Sequence, residues 1–465
     1  MKLVFKVNEK PPISKWIIAS FQQLLSILAA TIAVPAIINS NISGANMSQS
    51  AALFGAGVGT LVYLLFTRFK SPVFLGSSFA FIGSMLAAFA GGVSMSVGYL
   101  GLIIGALFAG LVYVIIALIV KKFGVKWINK LMPASVIGPT VAIIGLSLAV
   151  NAVGDAVGHN KDLHNIFDAV NSTYVMDLKA ILSLICAIVT LATVMVCSVY
   201  GNKNLKLFPF VIGILAGYVL ATVFTVIGLL AKVEAMVIID FTKFANMEWV
   251  PDFTFKQAFF KEPFNFGDGN FGSYLFSIAV AYVPVAFVVF AEHIADHKNL
   301  STIIENELLE EPGLHRTLLG DGVGSMAGAF FGGCPNTTYG ESVGCVAITG
   351  NASVYTIFLT ALIAIASSFF APFVTFLSTI PACVMGGVCI SLYGFIAVSG
   401  LKMIQKVDLN QNNNLFVVSV ILITGVGGMS LTFGQIKLTA VAVALILGIA
   451  TNLLLNLKSK NEKAQ

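Results

Sequence analysis

Charged residues are scarce in this sequence. They make up 10 % of its 465 residues, while 57 % of the residues are hydrophobic, and the mean hydropathy is +0.93. A soluble domain carries about 25 % charged residues, so the composition excludes a water-soluble globular protein. It also excludes intrinsic disorder, which requires low hydrophobicity and high charge. A helical protein that crosses a membrane many times is the class that remains.

Cysteine and arginine are also rare, and each shortage excludes a kind of chemistry. The six cysteines lie in apolar or glycine-rich stretches without paired spacing, so no disulfide framework is predicted. The chain has no C-x-x-C or H-E-x-x-H motif and no Ser/His/Asp set, so we expect no metal site, no cofactor and no enzymatic activity. Its two arginines, Arg68 and Arg316, both lie away from the middle of an apolar segment. No guanidinium is therefore available to bind an anion at mid-membrane depth.

The hydrophobic residues fall into about fourteen apolar segments, and a spanning helix needs about 20 such residues. The predicted segments are 16–38, 51–67, 73–92, 97–120, 131–154, 177–200, 206–230, 272–296, 315–332, 334–349, 353–376, 382–404, 414–431 and 436–457.

Basic residues predict the orientation of these segments. They precede the first segment and follow the second, fourth, sixth and last, so they share one side if every segment crosses once. Because lysine and arginine accumulate in cytoplasmic loops, we expect a multi-pass plasma (inner) membrane protein with both termini in the cytoplasm. Loops 155–176 and 231–271 are then external. The net charge of +5 reflects this bias and indicates no nucleic-acid partner.

Two segments are interrupted by glycine, proline and hydroxyl residues. The third segment opens with the interrupted stretch from Pro72 to Phe79, which contains Gly76. The tenth opens with the interrupted stretch from Cys334 to Glu341, which contains Pro335. Each occupies the third place in its half if the fourteen segments are divided into two halves of seven. Because an odd number of crossings ends on the side opposite to where it began, the second half enters the membrane from the opposite side. This arrangement indicates an inverted repeat with a binding site at the membrane midplane.

Few ionisable residues lie inside the segments, and such residues are usually functional. Glu292 lies in the eighth segment, Glu341 in the tenth, and Gln22 and Gln23 in the first. If the two halves interlock, these residues meet the two interrupted segments in one polar centre. Alternatively, Glu292 pairs with a local partner such as His293, and Glu341 pins two helices together.

Asp321 and Asp296 are interpreted first as structural or loop-facing, and the phenylalanines as packing residues.

The polar centre offers carboxylates as acceptors, half-helix N-termini as donors, and flat rings at Phe79 and Phe81. A planar neutral ring with N–H and C=O groups, such as a nucleobase, suits this chemistry.

The chain resembles the nucleobase–ascorbate transporters (nucleobase:cation symporters), in particular their bacterial uracil permease branch, over nearly its whole length. The motifs that carry the resemblance are Leu75-Gly-Ser-Ser-Phe-Ala-Phe81, Ala291-Glu-His293, Glu311-Pro-Gly-Leu-His-Arg316 and Pro335-Asn-Thr-Thr-Tyr-Gly-Glu341.

The resemblance implies an all-α fold of fourteen segments in two inverted repeats of seven, with short antiparallel strands in segments three and ten. It divides the chain into a core domain, residues 16–122 and 272–376, and a gate domain, residues 131–230 and 382–457. It also implies a homodimer joined through the gate domains.

The resemblance further assigns roles to residues. Those implied to contact substrate are Glu292, Glu341, Phe79, Tyr339, Gly340, Ser78 and Tyr393. Those implied to couple transport to a proton are Glu292, Glu341 and Asp296. Those implied to support the site are Gln22, Gln23 and His293. Gln22-Gln23 stands where the family commonly has Gln-His, which removes a titratable partner of Glu341.

The expected activity is import of uracil with a proton. A purine permease for xanthine or urate on the same scaffold is the alternative, and an exchanger of small anions is a further one. The mid-segment carboxylates and the absence of mid-segment arginines argue against the exchanger.

Overall fold

The computed structural model describes most of the chain. The described residues are 3–124, 127, 131–157, 167–168, 173–174, 177–202, 205–245, 247–267, 269–433 and 436–461. Most of the predicted external loop 155–176 lies outside them. Five of the basic residues that flank the apolar segments and carry the predicted orientation also lie outside them, namely Lys2, Lys126, Lys130, Lys203 and Lys463.

Most of the described chain is helical. The helices of the first half are α1 (Ile13–Asn41), α2 (Gln49–Phe66), α3 (Ile82–Ala88), α4 (Met95–Phe123), α5 (Ala134–Ser147), α6 (Ala149–Ala156), α7 (Leu178–Val199), α8 (Pro209–Ala231) and α9 (Thr254–Phe260). Those of the second half are α10 (Phe271–Ile304), α11 (Leu314–Gly332), α12 (Gly340–Thr349), α13 (Val354–Ser367), α14 (Ala371–Thr379), α15 (Ala382–Ile404), α16 (Asn412–Val426) and α17 (Ala440–Asn461).

Among the described residues, eight helical spans are long and apolar enough to cross a membrane, if α5 and α6 are counted as one span. The pair α13 and α14 is bent by 83° and gives a ninth if it is also counted as one span. The chain is therefore a predominantly helical, polytopic membrane protein. The other five predicted segments are interrupted, shorter or less apolar, because glycine, hydroxyl and strand residues replace part of their apolar run.

The two interrupted segments meet each other, as expected. Strand β1 (Leu75–Ser77) pairs antiparallel with β4 (Asn336–Thr338), and Gly76 lies opposite Thr337. A short 3₁₀ turn and α3 follow the first strand, and α12 follows the second. Antiparallel pairing satisfies backbone groups that a membrane interior would otherwise leave without partners. The predicted strands in segments three and ten are confirmed.

Two short hairpins lie elsewhere in the described chain. Strand β2 (Phe167–Asp168) pairs with β3 (Thr173–Tyr174), and β5 (Leu431–Phe433) pairs with β6 (Ile436–Leu438).

Helices α2 and α11 form the closest helix pair behind these strands. A Cβ atom at Gly55 would overlap the backbone carbonyl of Gly328, and one at Gly59 would lie 2.7 Å from the carbonyl oxygen of Gly324. Small residues allow helix backbones to touch in this way inside a membrane. The two helices therefore form a rigid support for the centre of the molecule.

Candidate functional site

A cavity of about 340 Å³ lies between the interrupted tenth segment and helices α1, α5, α8, α10 and α15. Helices α10 and α12 contribute carboxyl groups to its lining, and α15 contributes mostly apolar side chains. The lining residues are Ser26, Val141, Lys206, Pro209, Phe210, Glu292, Ala295, Asp296, Gly340, Glu341, Gly344, Cys345, Ile348, Leu392, Phe395, Ile396, Ser399 and Met403.

Helix α10 supplies two of the three carboxyl groups in the cavity. Glu292 and Asp296 are four residues apart, which places both side chains on one face of a helix. Both are half-buried and line the cavity. The Thr338 hydroxyl donates a 2.8 Å hydrogen bond to Asp296 Oδ2. Strand β4 thus holds one carboxyl group, while the Glu292 carboxyl group faces the open space.

The first turn of α12 forms the neighbouring wall. Gly340 is exposed to the cavity, and Glu341, the next residue, supplies the third carboxyl group. A Cβ at Gly340 would lie 4.0 Å from Asp296 Oδ1, so glycine keeps the space between them open. The first N–H groups of a helix have no partner inside the helix and favour a hydrogen-bond acceptor. The wall therefore combines donors from the backbone with acceptors from side chains.

Gln23 is the one of the two predicted glutamines that reaches this region. It is buried, and its Nε2 donates a 2.7 Å hydrogen bond to Ser342 Oγ. Ser342 Oγ also accepts from the backbone N–H of Phe74 at 3.1 Å. One hydroxyl thus joins α1, α12 and the approach to β1. Gln22 is half-buried and is absent from the cavity lining.

The predicted aromatic contacts lie beside the cavity and do not line it. Phe79 and Tyr393 are buried against each other, with ring centroids 5.7 Å apart in an edge-to-face arrangement. The Tyr339 hydroxyl donates a 2.8 Å hydrogen bond to the backbone oxygen of Ser77. The Ser78 side-chain oxygen is buried and has no hydrogen-bond partner among the described residues.

His293 contacts a different set of residues from those expected. Its Nδ1 lies 2.7 Å from Asp321 Oδ2, and its Nε2 lies 3.0 Å from the Thr317 hydroxyl. All three residues are buried. The interpretation that Glu292 pairs with His293 is wrong, because the imidazole is engaged on α11. Asp321 is buried, is bonded to His293 and does not line the cavity.

Several cavity residues were missed from the sequence. Lys206 was used only to orient the chain, and Ser26, Ser399 and Cys345 carried no signal, because single small polar residues are common in membrane helices. The position of Ser26, three residues after Gln23 and so one turn of α1 further on, is the one hint that spacing offers.

Among the described residues, no group of three or more His, Cys, Asp or Glu side chains is placed to hold a metal ion.

A multi-pass helical protein whose polar cavity lies beside two interrupted segments is of the transporter class. The Xan_ur_permease family model, described as the Permease family, matches residues 14–433. The chain belongs to this family and is a permease, not an enzyme.

Relatives of this chain cover nearly its full length. It is 38 % identical to the uracil permease of Bacillus caldolyticus over 460 residues, which cover 98 % of this chain and 95 % of that protein. It is 36 % identical to the uracil permease of Bacillus subtilis (strain 168), covering 100 % and 97 %. It is 35 % identical to the uracil permease of Escherichia coli (strain K12), covering 97 % and 94 %.

Solved structures with a similar fold are distant in sequence. The transmembrane domain of the cyanobacterial bicarbonate transporter BicA superposes with a TM-score of 0.60 at 13 % identity, covering 95 % of this chain and 97 % of that one. The murine anion transporter Slc26a9, in its inward-facing state, gives 0.65 at 11 % identity, covering 97 % and 69 %. At these identities the likeness concerns the fold alone.

Proposed function

We propose that this permease imports uracil together with a proton. The observation that carries the proposal is the convergence of Glu292, Asp296 and Glu341 with the N-terminus of α12 on one cavity. The three relatives named above are uracil permeases, and their substrate is a neutral ring with the hydrogen-bonding groups that this cavity complements.

The chemistry of binding follows from the donors and acceptors in the cavity. A carboxylate accepts a hydrogen bond from a ring N–H, and bonds to charged groups contribute about 1.5–3 kcal/mol each. Backbone N–H groups in the first turn of α12, at Gly340 and Glu341, donate to the ring carbonyls when substrate binds. Ser78, Phe79, Tyr339 and Tyr393 lie next to this place, and we assign them contacts in the state in which the cavity has closed around substrate.

The three carboxyl groups are also the proposed coupling groups. Glu292 is assigned the main role, and Glu341 and Asp296 contribute. Ionised groups of like charge repel each other at short range, so adding or removing one proton changes the electrostatic environment of the substrate. Gln23 and Gln22 support the site without titrating.

Transport itself requires the cavity to open alternately on each side of the membrane. We assign the chain fourteen membrane segments in two inverted repeats, with core residues 16–122 and 272–376 moving as a body against gate residues 131–230 and 382–457. Lys206 and Met403 line the cavity near helix ends that the positive-inside rule assigns to the cytoplasm, so we assign the opening of the cavity to that side. The structure then represents an inward-open state with both termini in the cytoplasm, and the gate helices supply the contact of a homodimer.

Uptake of radiolabelled uracil into proteoliposomes tests the proposal. We expect uptake when the outside is made more acidic than the inside, and loss of that uptake when a protonophore removes the gradient. Uptake that follows a sodium gradient and ignores pH would refute proton coupling while leaving uracil transport standing.

Competition separates the remaining candidates. Excess unlabelled uracil should abolish uptake, and xanthine or urate should not. Stronger inhibition by the purines would make the chain a purine permease, and flux of chloride or bicarbonate without any nucleobase uptake would make it an anion exchanger.

A further inference from the structure

We propose that Tyr63 and His297 are positioning residues. The hydrogen bond between them attaches α10 to α2 and fixes the rotation of α10 that turns Glu292 and Asp296 toward the substrate cavity. This contact is called the brace below. The proposal deepens the function proposed above and rests on it, since it concerns how the binding carboxyl groups are held. It is independent of which ion is coupled.

The contact between the two residues is short and fully buried. Tyr63 Oη lies 2.6 Å from His297 Nε2, and both side chains are 0 % exposed. His297 Nδ1 lies 2.8 Å from the backbone oxygen of His293. An oxygen of this kind only accepts, so Nδ1 carries the hydrogen, and in a neutral imidazole Nε2 is then an acceptor. With a neutral imidazole, the single Tyr63 hydroxyl hydrogen is then shared between two acceptors, His297 Nε2 and Ser71 Oγ, which lies 2.7 Å from the same hydroxyl.

His293 makes the second attachment, one turn earlier on α10. It contacts Asp321 and Thr317 on α11, and its ring stacks on that of His297 with centroids 4.0 Å apart. The two imidazoles thus attach α10 to α2 and α11. These are the two helices whose glycines bring their backbones into contact, so the attachment is to the most rigid part of the molecule.

The spacing of residues explains why this attachment controls the cavity. Successive residues of a helix point about 100° apart, so His293 and His297 occupy one face and Glu292 and Asp296 the neighbouring face. Pro284 lies inside α10 before both pairs, and proline removes one hydrogen bond of a helix. The part of α10 beyond Pro284 therefore depends on side-chain contacts to fix its rotation about its own axis.

The network is a brace and not a path for protons. The hydrogen-bonded chain from Asp321 to the His293 ring is interrupted at the stacked rings, because the two imidazoles are not hydrogen-bonded to each other and His297 Nδ1 bonds the backbone oxygen of His293 instead. On the other side, the Ser71 hydroxyl lies 2.7 Å from Tyr63 Oη and is buried, so the series of hydrogen bonds ends at a residue without contact to solvent. The carboxyl groups of the cavity share its lining with Lys206, and none of the residues of this hydrogen-bonded network lines it.

Removal of the donors tests the brace. Ser71 Oγ also lies 3.5 Å from His297 Nε2, so it can take over as donor in Tyr63→Phe. The double variant Tyr63→Phe/Ser71→Ala has no such replacement. We expect the uracil Kd of the double variant to rise about tenfold, and that of Tyr63→Phe alone to rise less.

A matched control is available on the same helix. Tyr274 is also buried on α10, and its hydroxyl bonds the backbone oxygens of Ala88 and Val97 at 2.8 Å each. Tyr274→Phe removes the same group without touching the brace. It should lower the unfolding temperature but leave the Kd within about twofold. Equal weakening of binding by the control would overturn the proposal.

Tyr63→Phe/His297→Leu separates positioning from stability, because replacing both partners by apolar groups is often nearly neutral for folding. We expect the unfolding temperature to recover and the affinity to stay reduced. Recovery of affinity together with stability would show that the bond contributes stability alone.

A measurement without ligand keeps the two proposals distinct. A cysteine placed at Asp296 in a Cys345→Ala background should react with a soluble maleimide, and the rate should fall in the Tyr63→Phe/Ser71→Ala variant. An unchanged rate would refute the brace. Failure of the unmutated protein to bind uracil, with the rate still reduced, would refute only the proposed function.

Discussion

Glu292 and His293 are adjacent in the chain but face different parts of the molecule. The carboxyl group lines the cavity, whereas the imidazole is buried against Asp321. The sequence correctly indicated that an intramembrane glutamate lies in a polar centre. It could not show which neighbour each side chain contacts, because that depends on the rotation of α10 against α11.

The substitution Glu292→Gln is the most direct test of a single residue in the proposed site. The amide keeps the size of the side chain but loses its charge and one acceptor, so we expect uracil binding to weaken about 10- to 100-fold with the protein still folded. Equilibrium binding in detergent measures the effect. Glu234→Gln, in an exposed 3₁₀ turn, is the control and should bind as the unmutated protein does. Unchanged binding by Glu292→Gln would remove Glu292 from the site.

Strand pairing between β1 and β4 is the element that creates the site. It allows two helices, α3 and α12, to begin between the two halves of the chain, and it places the first turn of α12, with Gly340 and Glu341, at the cavity wall. Proline and glycine in both segments predicted the interruptions, and their common place in the two halves predicted that they meet. The register, with Gly76 opposite Thr337, could not be predicted from three-residue strands, because so few side chains constrain it.

Gly76→Ala tests this element. The added Cβ would overlap the ring of Tyr339, and overpacking of this kind costs about 1–3 kcal/mol. We expect a lower unfolding temperature and weaker uracil binding, since Tyr339 precedes the cavity residue Gly340. In Gly83→Ala the new Cβ would lie 3.5 Å from Thr439 Cγ2, an ordinary contact, so this variant should behave as the unmutated protein. Equal stability of the two variants would contradict the close approach.

The whole molecule is proposed to open its cavity toward the cytoplasm. Lys206 and Met403 line the cavity, while the rings of Phe79 and Tyr393 pack against each other outside its lining. Composition and basic residues predicted a multi-pass protein and its orientation. Neither can indicate which conformation the chain adopts, because the same sequence must fold into both an outward-open and an inward-open state if it transports.

Cysteine labelling tests the side of the opening. Ser399 lines the cavity, as does the native Cys345, so Ser399→Cys is made in a Cys345→Ala background. We expect a membrane-impermeant maleimide to label it in inside-out vesicles, and uracil to slow the reaction. Val398→Cys, whose native side chain is 46 % exposed on the outer surface of α15 and absent from the cavity lining, should stay unlabelled. Labelling only from the external side would contradict the inward-open assignment.

The sequence by itself determined the class of the protein, because apolar runs without charge are stable only in a membrane, and it determined where the helices are interrupted, because proline and glycine act locally. Tertiary structure alone decided which polar groups meet. Gln23 with Ser342, Asp296 with Thr338 and His297 with Tyr63 are each more than 40 residues apart. Their pairing depends on how helices rotate and approach each other, and that is fixed by packing over the whole molecule.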